Sequence, residues 1–235
     1  MAGKTLGVIP ARGGSKSIPH KNITEFCGRP LIEHVIEAGL RCSLIDELVC
    51  STDDDKIAAV VESMGVRVIP RPAELAQDDT PVLDVLKDLM LRHGDRIDIV
   101  PLLQPTSPFL LPEHIDACVA AMKNDPECDS AQTVSRFPHN YHAYNQRVVE
   151  DGYVSFRFRD ERLACYNKQS KPRFHIFGNL VVTRKRTLME KNEIFGERSI
   201  AIEVPQPYAF DLDTKEDIAY GQFLLERGQV CIPWL

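Results

Sequence analysis

No C-x-x-C pair occurs in this chain, and its seven cysteines, Cys27, Cys42, Cys50, Cys118, Cys128, Cys165 and Cys231, are scattered and odd in number. Several sit in apolar runs, as reduced core thiols do, so a cytoplasmic setting is expected. His139, His142 and His175 show no metal-ligand spacing with any cysteine, which speaks against zinc. Excess positive charge is also lacking: the net charge is −6. Without a global basic field no nucleic-acid partner is expected, and any anion site must be local. No apolar run approaches the length of a membrane span, and the start, Met1-Ala2-Gly3-Lys4, has no apolar signal core. No membrane association is expected. Two familiar phosphate loops, G-x-x-x-x-G-K-S/T and G-x-G-x-x-G, are missing. The second absence disfavours a dinucleotide oxidoreductase. There is no internal repeat and no low-complexity tract.

What is present is enough for one sizeable α/β domain: 235 residues, 43% hydrophobic and 26% charged. The stretch that organises the chain is Ile9-Pro10-Ala11-Arg12-Gly13-Gly14-Ser15-Lys16, continuing to Lys21-Asn22. It follows the apolar run Thr5 to Ile9 and precedes a helical pattern, so it is the loop after a first strand. Gly13 and Gly14 let the backbone turn and approach a ligand closely. Arg12, Lys16 and Lys21 add fixed cations, which together with backbone N–H groups suit a polyphosphate. A solvated turn is the plainer reading of the same loop.

Leu31, Ile32, Val35, Ile36 and Leu40 recur at helical spacing, so a helix is expected from about Pro30 to Cys42. A strand is expected over Glu47 to Ser51, then a helix through Met64 capped by Thr52 or Asp53. Val66 to Ile69 reads as a third strand, and Thr80-Pro81 opens a helix to about His93. Ile97 to Leu103 is almost wholly apolar, as central parallel strands are. A helix from Pro112 to Asn124 and a strand from Ser130 to Ser135 follow. This alternation predicts a parallel, doubly wound sheet with ligands at the carboxyl ends of its strands. The loops Ala11 to Asn22 and Gln104 to Pro108 should then face one crevice. Periodicity is lost from Arg136 to Arg173, an excursion that is either an active-site flap or a dimer arm. Strands over Phe177 to Thr183 and Ser199 to Val204 and a helix from Asp217 to Arg227 complete the chain.

Asp211 and Asp213 stand two apart before the last helix. In extended backbone such residues point the same way, so both carboxylates can ligate one hard cation, and Mg²⁺ favours such ligands together with phosphates. Asp213 or Thr214 can equally serve as the helix cap. Gln104-Pro105-Thr106-Ser107-Pro108 offers an amide and two hydroxyls suited to a polyol, or simply a rigid turn. Asp53-Asp54-Asp55 reads as a helix N-terminus rather than a metal site. Arg136, Arg157, Arg159, Arg162 and Arg173 give the excursion a basic character: either salt-bridged surface or a clamp for an acidic substrate.

Taken together, these residues resemble the acylneuraminate cytidylyltransferase family, the CMP-sialic acid synthetases and their relatives for other 3-deoxy-ulosonic acids. The resemblance rests on the Ile9–Lys16 loop with Lys21-Asn22, Ser51-Thr52-Asp53, Arg71-Pro72-Ala73-Glu74-Leu75-Ala76, Leu103-Gln104-Pro105-Thr106-Ser107-Pro108 and Asp211-Leu212-Asp213-Thr214. They occur in the family's order and span nearly the whole chain. The resemblance implies one nucleotidyltransferase domain over 1–235. Its Rossmann-like, mostly parallel sheet would be flanked by helices, of the nucleotide-diphospho-sugar transferase type, with a small insertion over 137–175. It implies that CTP and Mg²⁺ are used. Arg12, Lys16 and Lys21 would hold the triphosphate, and Asp211 and Asp213 the metal. Ala11, Gly13, Asn22, Arg71 and Thr80 would complete the nucleotide site. Gln104, Thr106, Ser107, Arg173, His175 and Asn179 would face the acidic sugar. The family is usually dimeric, so a homodimer is expected, with the 136–173 arm reaching the partner's site.

The implied reaction is in-line attack of an acid sugar's anomeric hydroxyl on the α-phosphorus of CTP, with pyrophosphate leaving. Two positions depart from the family pattern. Leu110 stands where relatives often carry Arg, and His175-Ile176-Phe177-Gly178-Asn179 stands in place of an Arg-x-Asn-Gly segment. A bidentate carboxylate clamp is lost there, and Arg173 is the candidate substitute. The nucleotide half is intact and the acceptor half altered. A sialic-acid-like nonulosonate, an octulosonate or another acidic acceptor stays open, as does a catalytically silent nucleotide-binding homologue.

Overall fold

The central strands are buried on both faces, so their alternate residues feed two cores. Strand β1 (Lys4–Pro10) sends Leu6 and Val8 to one and Ile9 to the other. The computed structural model describes residues 3–93, 96–136, 138–165, 167 and 170–235. The Met1-Ala2 start and four residues of the expected insertion, Phe137, Tyr166, Lys168 and Gln169, lie outside the described residues.

After β1 come a short hairpin, β2 (Glu25–Phe26) and β3 (Arg29–Pro30), and helix α1 (Leu31–Arg41). Then follow β4 (Glu47–Thr52), α2 (Asp55–Ser63), β5 (Arg67–Pro70), α3 (Val82–His93), β6 (Ile97–Leu102) and α4 (Pro112–Asn124). The second half holds β7 (Ser130–Arg136), the hairpin β8 (Arg147–Glu150) and β9 (Tyr153–Phe156), and α5 (Arg159–Ala164). Strand β10 (His175–Arg184), β11 (Ser199–Glu203) and α6 (Lys215–Glu226) end it. The sheet order is β11-β7-β10-β6-β1-β4-β5. Pairings of β1 with β4 and β6, β4 with β5, and β7 with β11 are parallel. Strand β10 runs antiparallel to both β6 and β7, so the sheet is mostly rather than wholly parallel.

One core sets α1, α2 and α4 against the sheet through Ile32, Ile36, Ile57, Val61, Ile115 and Val119. Leu110 is wholly buried there, so a side chain drawn from the crevice-side motif serves packing instead. The other face is covered by α3 through Val85, Leu86, Leu89 and Met90. A third cluster lies at the edge: Phe26, Leu31, Phe109, Phe210, Leu212 and Leu224. Its rings interlock, Phe26 with Phe109 at 5.9 Å and Phe109 with Phe210 at 5.0 Å between centroids. Burying each such side chain contributes about 2 kcal/mol. Helix α6 comes so close that a Cβ on Gly221 would sit 2.8 Å from the Phe26 ring. This cluster ties the loop after β1 to the segment before α6.

Two helix starts differ from expectation. Helix α2 is capped by Asp54, whose Oδ1 accepts from the N–H groups of Lys56 and Ile57 at 2.8 and 3.0 Å. Thr52 ends β4 instead, and Asp53 turns to the glycine loop. Helix α6 begins at Lys215, not Asp217, with Thr214 and Asp217 capping one another. The 136–173 excursion is built as a hairpin and a short helix. Two guanidiniums, Arg147 and Arg162, lie over the Phe156 ring at 4.7 and 4.2 Å. Among the described residues no helix is long and apolar enough to cross a membrane.

Candidate active site

Three loops are rooted before they diverge. The first residue beyond β1, β5 and β6 continues the ladder: Ala11 N–H donates to Ser51 O at 3.0 Å, Arg71 N–H to Thr52 O at 2.8 Å and Leu103 N–H to Val8 O at 2.9 Å. The side chains that follow are thereby fixed at the carboxyl ends of strands on one side of the sheet. They wall a crevice of about 530 Å³ that includes Arg12, Lys16, Lys21, Asn22, Arg71, Thr80, Gln104 and Thr106. The two loops expected to share a crevice do so.

The glycine loop is held from behind. Gly13 N–H donates to Asp53 Oδ1 at 3.0 Å. A Cβ on Gly13 would fall 2.5 Å from Asp54 Oδ2, so this close approach requires glycine. Asn22 Nδ2 donates to Arg12 O at 2.9 Å, closing the loop at its other end. Ala11 is wholly buried and Gly13 half-buried behind the wall. Arg71 is buried, its Nη2 donating to Ser51 O at 2.8 Å. Burial pushes its guanidinium down, and Asp53 opposes that shift. A cation kept out of water this way is a strong partner for an anion in the crevice.

The Gln104–Pro108 turn is laced to the Asp211–Asp213 segment. Leu212 N–H donates to Thr106 O at 2.8 Å, and the Thr106 hydroxyl bonds the Asp211 carboxylate. Leu212 is buried between exposed Asp211 and Asp213, so both carboxylates leave on the side away from the core. Asp213 Oδ1 meets Lys21 Nζ at 2.9 Å. Asp211 as a residue is exposed, yet the surrounding chain crowds its carboxyl and raises its pKa. The Thr106 hydroxyl counters this, Asp213 repulsion adds to it, and Lys21 opposes it. Ser107 is buried, its N–H donating to Gln104 O at 3.0 Å, and so shapes the turn.

Besides buried Ser107, three expected acceptor residues stand elsewhere. Arg173 and His175 are exposed at the root of β10, off the crevice wall, with His175 paired in register to Arg136. Asn179 is buried. It accepts from Thr133 Oγ1 at 3.0 Å, donates to Tyr208 O at 2.9 Å and lies 3.2 Å from His114 Nδ1. Arg136 pairs with Glu203 at 2.7 Å, and Arg162 is spent on Phe156 and Asn145. Sequence reasoning passed over Gln77 and Asp78 on the crevice wall. The signal available was the acidic Asp78-Asp79 pair just before α3.

The family model for cytidylyltransferases matches residues 6–226. The N-acylneuraminate cytidylyltransferase of Escherichia coli is 29% identical over 92% of this chain and 51% of its own length. The chain spans about half the length of this and similar curated relatives. The CMP-N,N'-diacetyllegionaminic acid synthase of Legionella pneumophila is 31% identical over 96% of this chain and 98% of its own. Among solved structures, a CMP:2-keto-3-deoxy-manno-octonic acid synthetase complexed with CTP superposes with a TM-score of 0.72. It is 22% identical and covers 96% of this chain and 99% of its own. That likeness concerns the fold.

Proposed function

Because the chain belongs to the cytidylyltransferase family, we propose that it transfers CMP from CTP to the anomeric hydroxyl of an acidic 3-deoxy-ulosonic sugar, releasing pyrophosphate. The observation that carries this reading is the convergence of Arg12, Lys16, Lys21 and Arg71 on one crevice bordered by the Asp211–Asp213 pair. The similarity to enzymes named for sialic and legionaminic acids supports a nonulosonate acceptor.

Arg12, Lys16 and Lys21 would bind the triphosphate and neutralise charge as it develops on the leaving pyrophosphate. The glycine loop, held back on α2, lets its backbone approach the phosphates. Arg71, Asn22 and Thr80 would line the nucleoside side, with Ala11 and Gly13 shaping it from behind. Gln104 and Thr106 would align the attacking hydroxyl, whose oxygen joins the α-phosphorus as the bond to pyrophosphate breaks and the hydroxyl proton passes to solvent water. Ser107 holds that turn in place. Arg173 and His175 stand off the crevice wall and would meet only an acceptor that extends to the start of β10, the strand that Asn179 steadies.

Asp211 and Asp213 would hold Mg²⁺. Two carboxylates directed to one side suit a cation that completes its shell with phosphate and water oxygens. Bound there, the ion would neutralise phosphate charge and favour the alkoxide form of the sugar hydroxyl.

A homodimer is part of the proposal. Cross-strand neighbours Val149 and Val154 are 71% and 65% exposed, and Tyr153 at the same hairpin is 82% exposed. An apolar ribbon of this kind suits a second copy as its cover. Free thiols, Cys42, Cys50, Cys118 and Cys128 among them buried, suit the cytoplasm.

The test is pyrophosphate release from CTP and Mg²⁺ against a panel of acidic ulosonic acids, with ATP, GTP and UTP as controls. CTP-selective turnover with one acid is the expected result and names the acceptor. Failure to bind CTP would overturn the reading.

A further inference from the structure

One loop supplies the carboxylate and the backbone carbonyl that face the cations of the glycine loop. Asp78 Oδ1 lies 3.0 Å from Arg12 Nη1, and Asp78 Oδ2 lies 2.6 Å from Lys16 Nζ. The same Nη1 also donates to Gln77 O at 2.8 Å. The Asp78 carboxylate thus bridges two cations with its two oxygens, as a phosphoryl group would. The contacts are water-facing: Lys16 is 82% exposed and Asp78 47%. The loop is anchored without them. Gln77 Nε2 donates to Ala73 O at 2.7 Å, and Thr80 Oγ1 to Glu74 O at 3.4 Å. Asp78 can therefore turn away by side-chain rotation while its loop keeps its shape.

We propose that Asp78 is a resident counter-anion that sets the affinity and selectivity of the Arg12–Lys16 pair for polyphosphate. This rests on the nucleotide reading of the crevice given above. A phosphate seated on the glycine loop needs the N–H donors that Asp78 holds, and it repels the carboxylate. Both anions cannot keep them. A small anion such as inorganic phosphate gains too little to displace Asp78. A triphosphate brings more charge and more acceptors, so it does. Asp78 thus weakens binding of every anion and excludes the weakest.

The experiment is calorimetric titration of the wild-type protein, Asp78→Asn and Asp78→Glu with inorganic tripolyphosphate, CTP and inorganic phosphate at fixed ionic strength. Exposed ion pairs are individually weak, so Asp78→Asn should bind tripolyphosphate and CTP about fivefold tighter. It should also gain detectable binding of inorganic phosphate. Asp78→Glu, which keeps the charge, should stay near wild type. Unchanged or weaker tripolyphosphate binding in Asp78→Asn, with CTP still bound by the wild-type protein, would overturn the proposal alone: Asp78 would merely orient the cations. Binding of neither ligand to any of the proteins would overturn this inference together with the nucleotide reading. Tighter tripolyphosphate binding without CMP transfer to any acid would sustain the inference while the proposed reaction fell.

Discussion

The Lys21 ammonium lies 2.9 Å from Asp213 Oδ1, joining the first loop of the chain to the segment before its last helix. This contact brings the cations of the crevice and the carboxylate pair to one place. The helix start does not depend on it. Thr214 and Asp217 cap α6 between themselves, with Thr214 N–H donating to Asp217 Oδ2 at 2.7 Å.

Chemistry and capping can therefore be separated. Asp211→Asn and Asp213→Asn should each lower kcat by at least a hundredfold while the melting temperature stays within a few degrees. Thr214→Ala should do the reverse, losing about 1 kcal/mol of stability with kcat largely kept. Steady-state pyrophosphate release and thermal melts read both quantities.

Much of this arrangement is legible in the sequence. The periodicity of Leu31 to Leu40, and the apolar run ending at Leu103, locate α1 and β6 within a residue or two. The Asp211–Asp213 spacing foretells two carboxylates on one side, which buried Leu212 enforces. The direction of β10 is not legible, since a strand buried on both faces reads alike either way, and its partner strands are set by tertiary contacts. Asp54 displaces Asp53 as the cap because Asp53 has a distant partner in Gly13 N–H. Asp78 and Asn179 escape for the same reason. Their partners, Arg12 and Thr133, lie far away in the chain.

Asn179 gives a sharp case. Its amide is fully engaged: Thr133 Oγ1 donates to it, and its Nδ2 serves Tyr208 O. Truncating it leaves buried polar atoms unpaired. Asn179→Ala should cost about 2–3 kcal/mol in urea unfolding. A direct substrate contact would instead raise KM with stability intact, and that result would return Asn179 to the acceptor site.

The exposed hairpin offers a test of assembly. Val149 and Val154 are cross-strand partners on one face. Val154→Asp should place a charge in the apolar ribbon and shift the protein from dimer to monomer in sedimentation velocity at micromolar concentration. A wild-type monomer, or a variant that still dimerises, would remove the hairpin from the interface.

The last prediction concerns acid. His34 and His114 are both held neutral by burial, their pKa values pushed down to about 4. At His34 the Phe26 carbonyl, accepting at 3.0 Å from Nε2, partly offsets this, and Arg29 reinforces it. At His114 burial is the main cause, Glu113 opposes it, and the hydrogen-bond geometry agrees with a neutral ring. The Nδ1 atom accepts from Leu111 N–H at 3.3 Å. It also faces Asn179 Nδ2, whose orientation is set by the Thr133 and Tyr208 bonds. A proton on Nδ1 would confront two donors. Between the folded value near 4 and the unfolded value near 6.5, the unfolded chain binds more protons, so stability must fall as pH falls through that window. Each histidine should remove up to about 3 kcal/mol over it. Unfolding free energies measured by urea titration from pH 7 to pH 4 should decline accordingly. In His114→Gln the decline should be shallower, because the group that titrates only in the unfolded chain is gone. An equal slope in both proteins would mean that His114 titrates in the fold as it does in the unfolded chain.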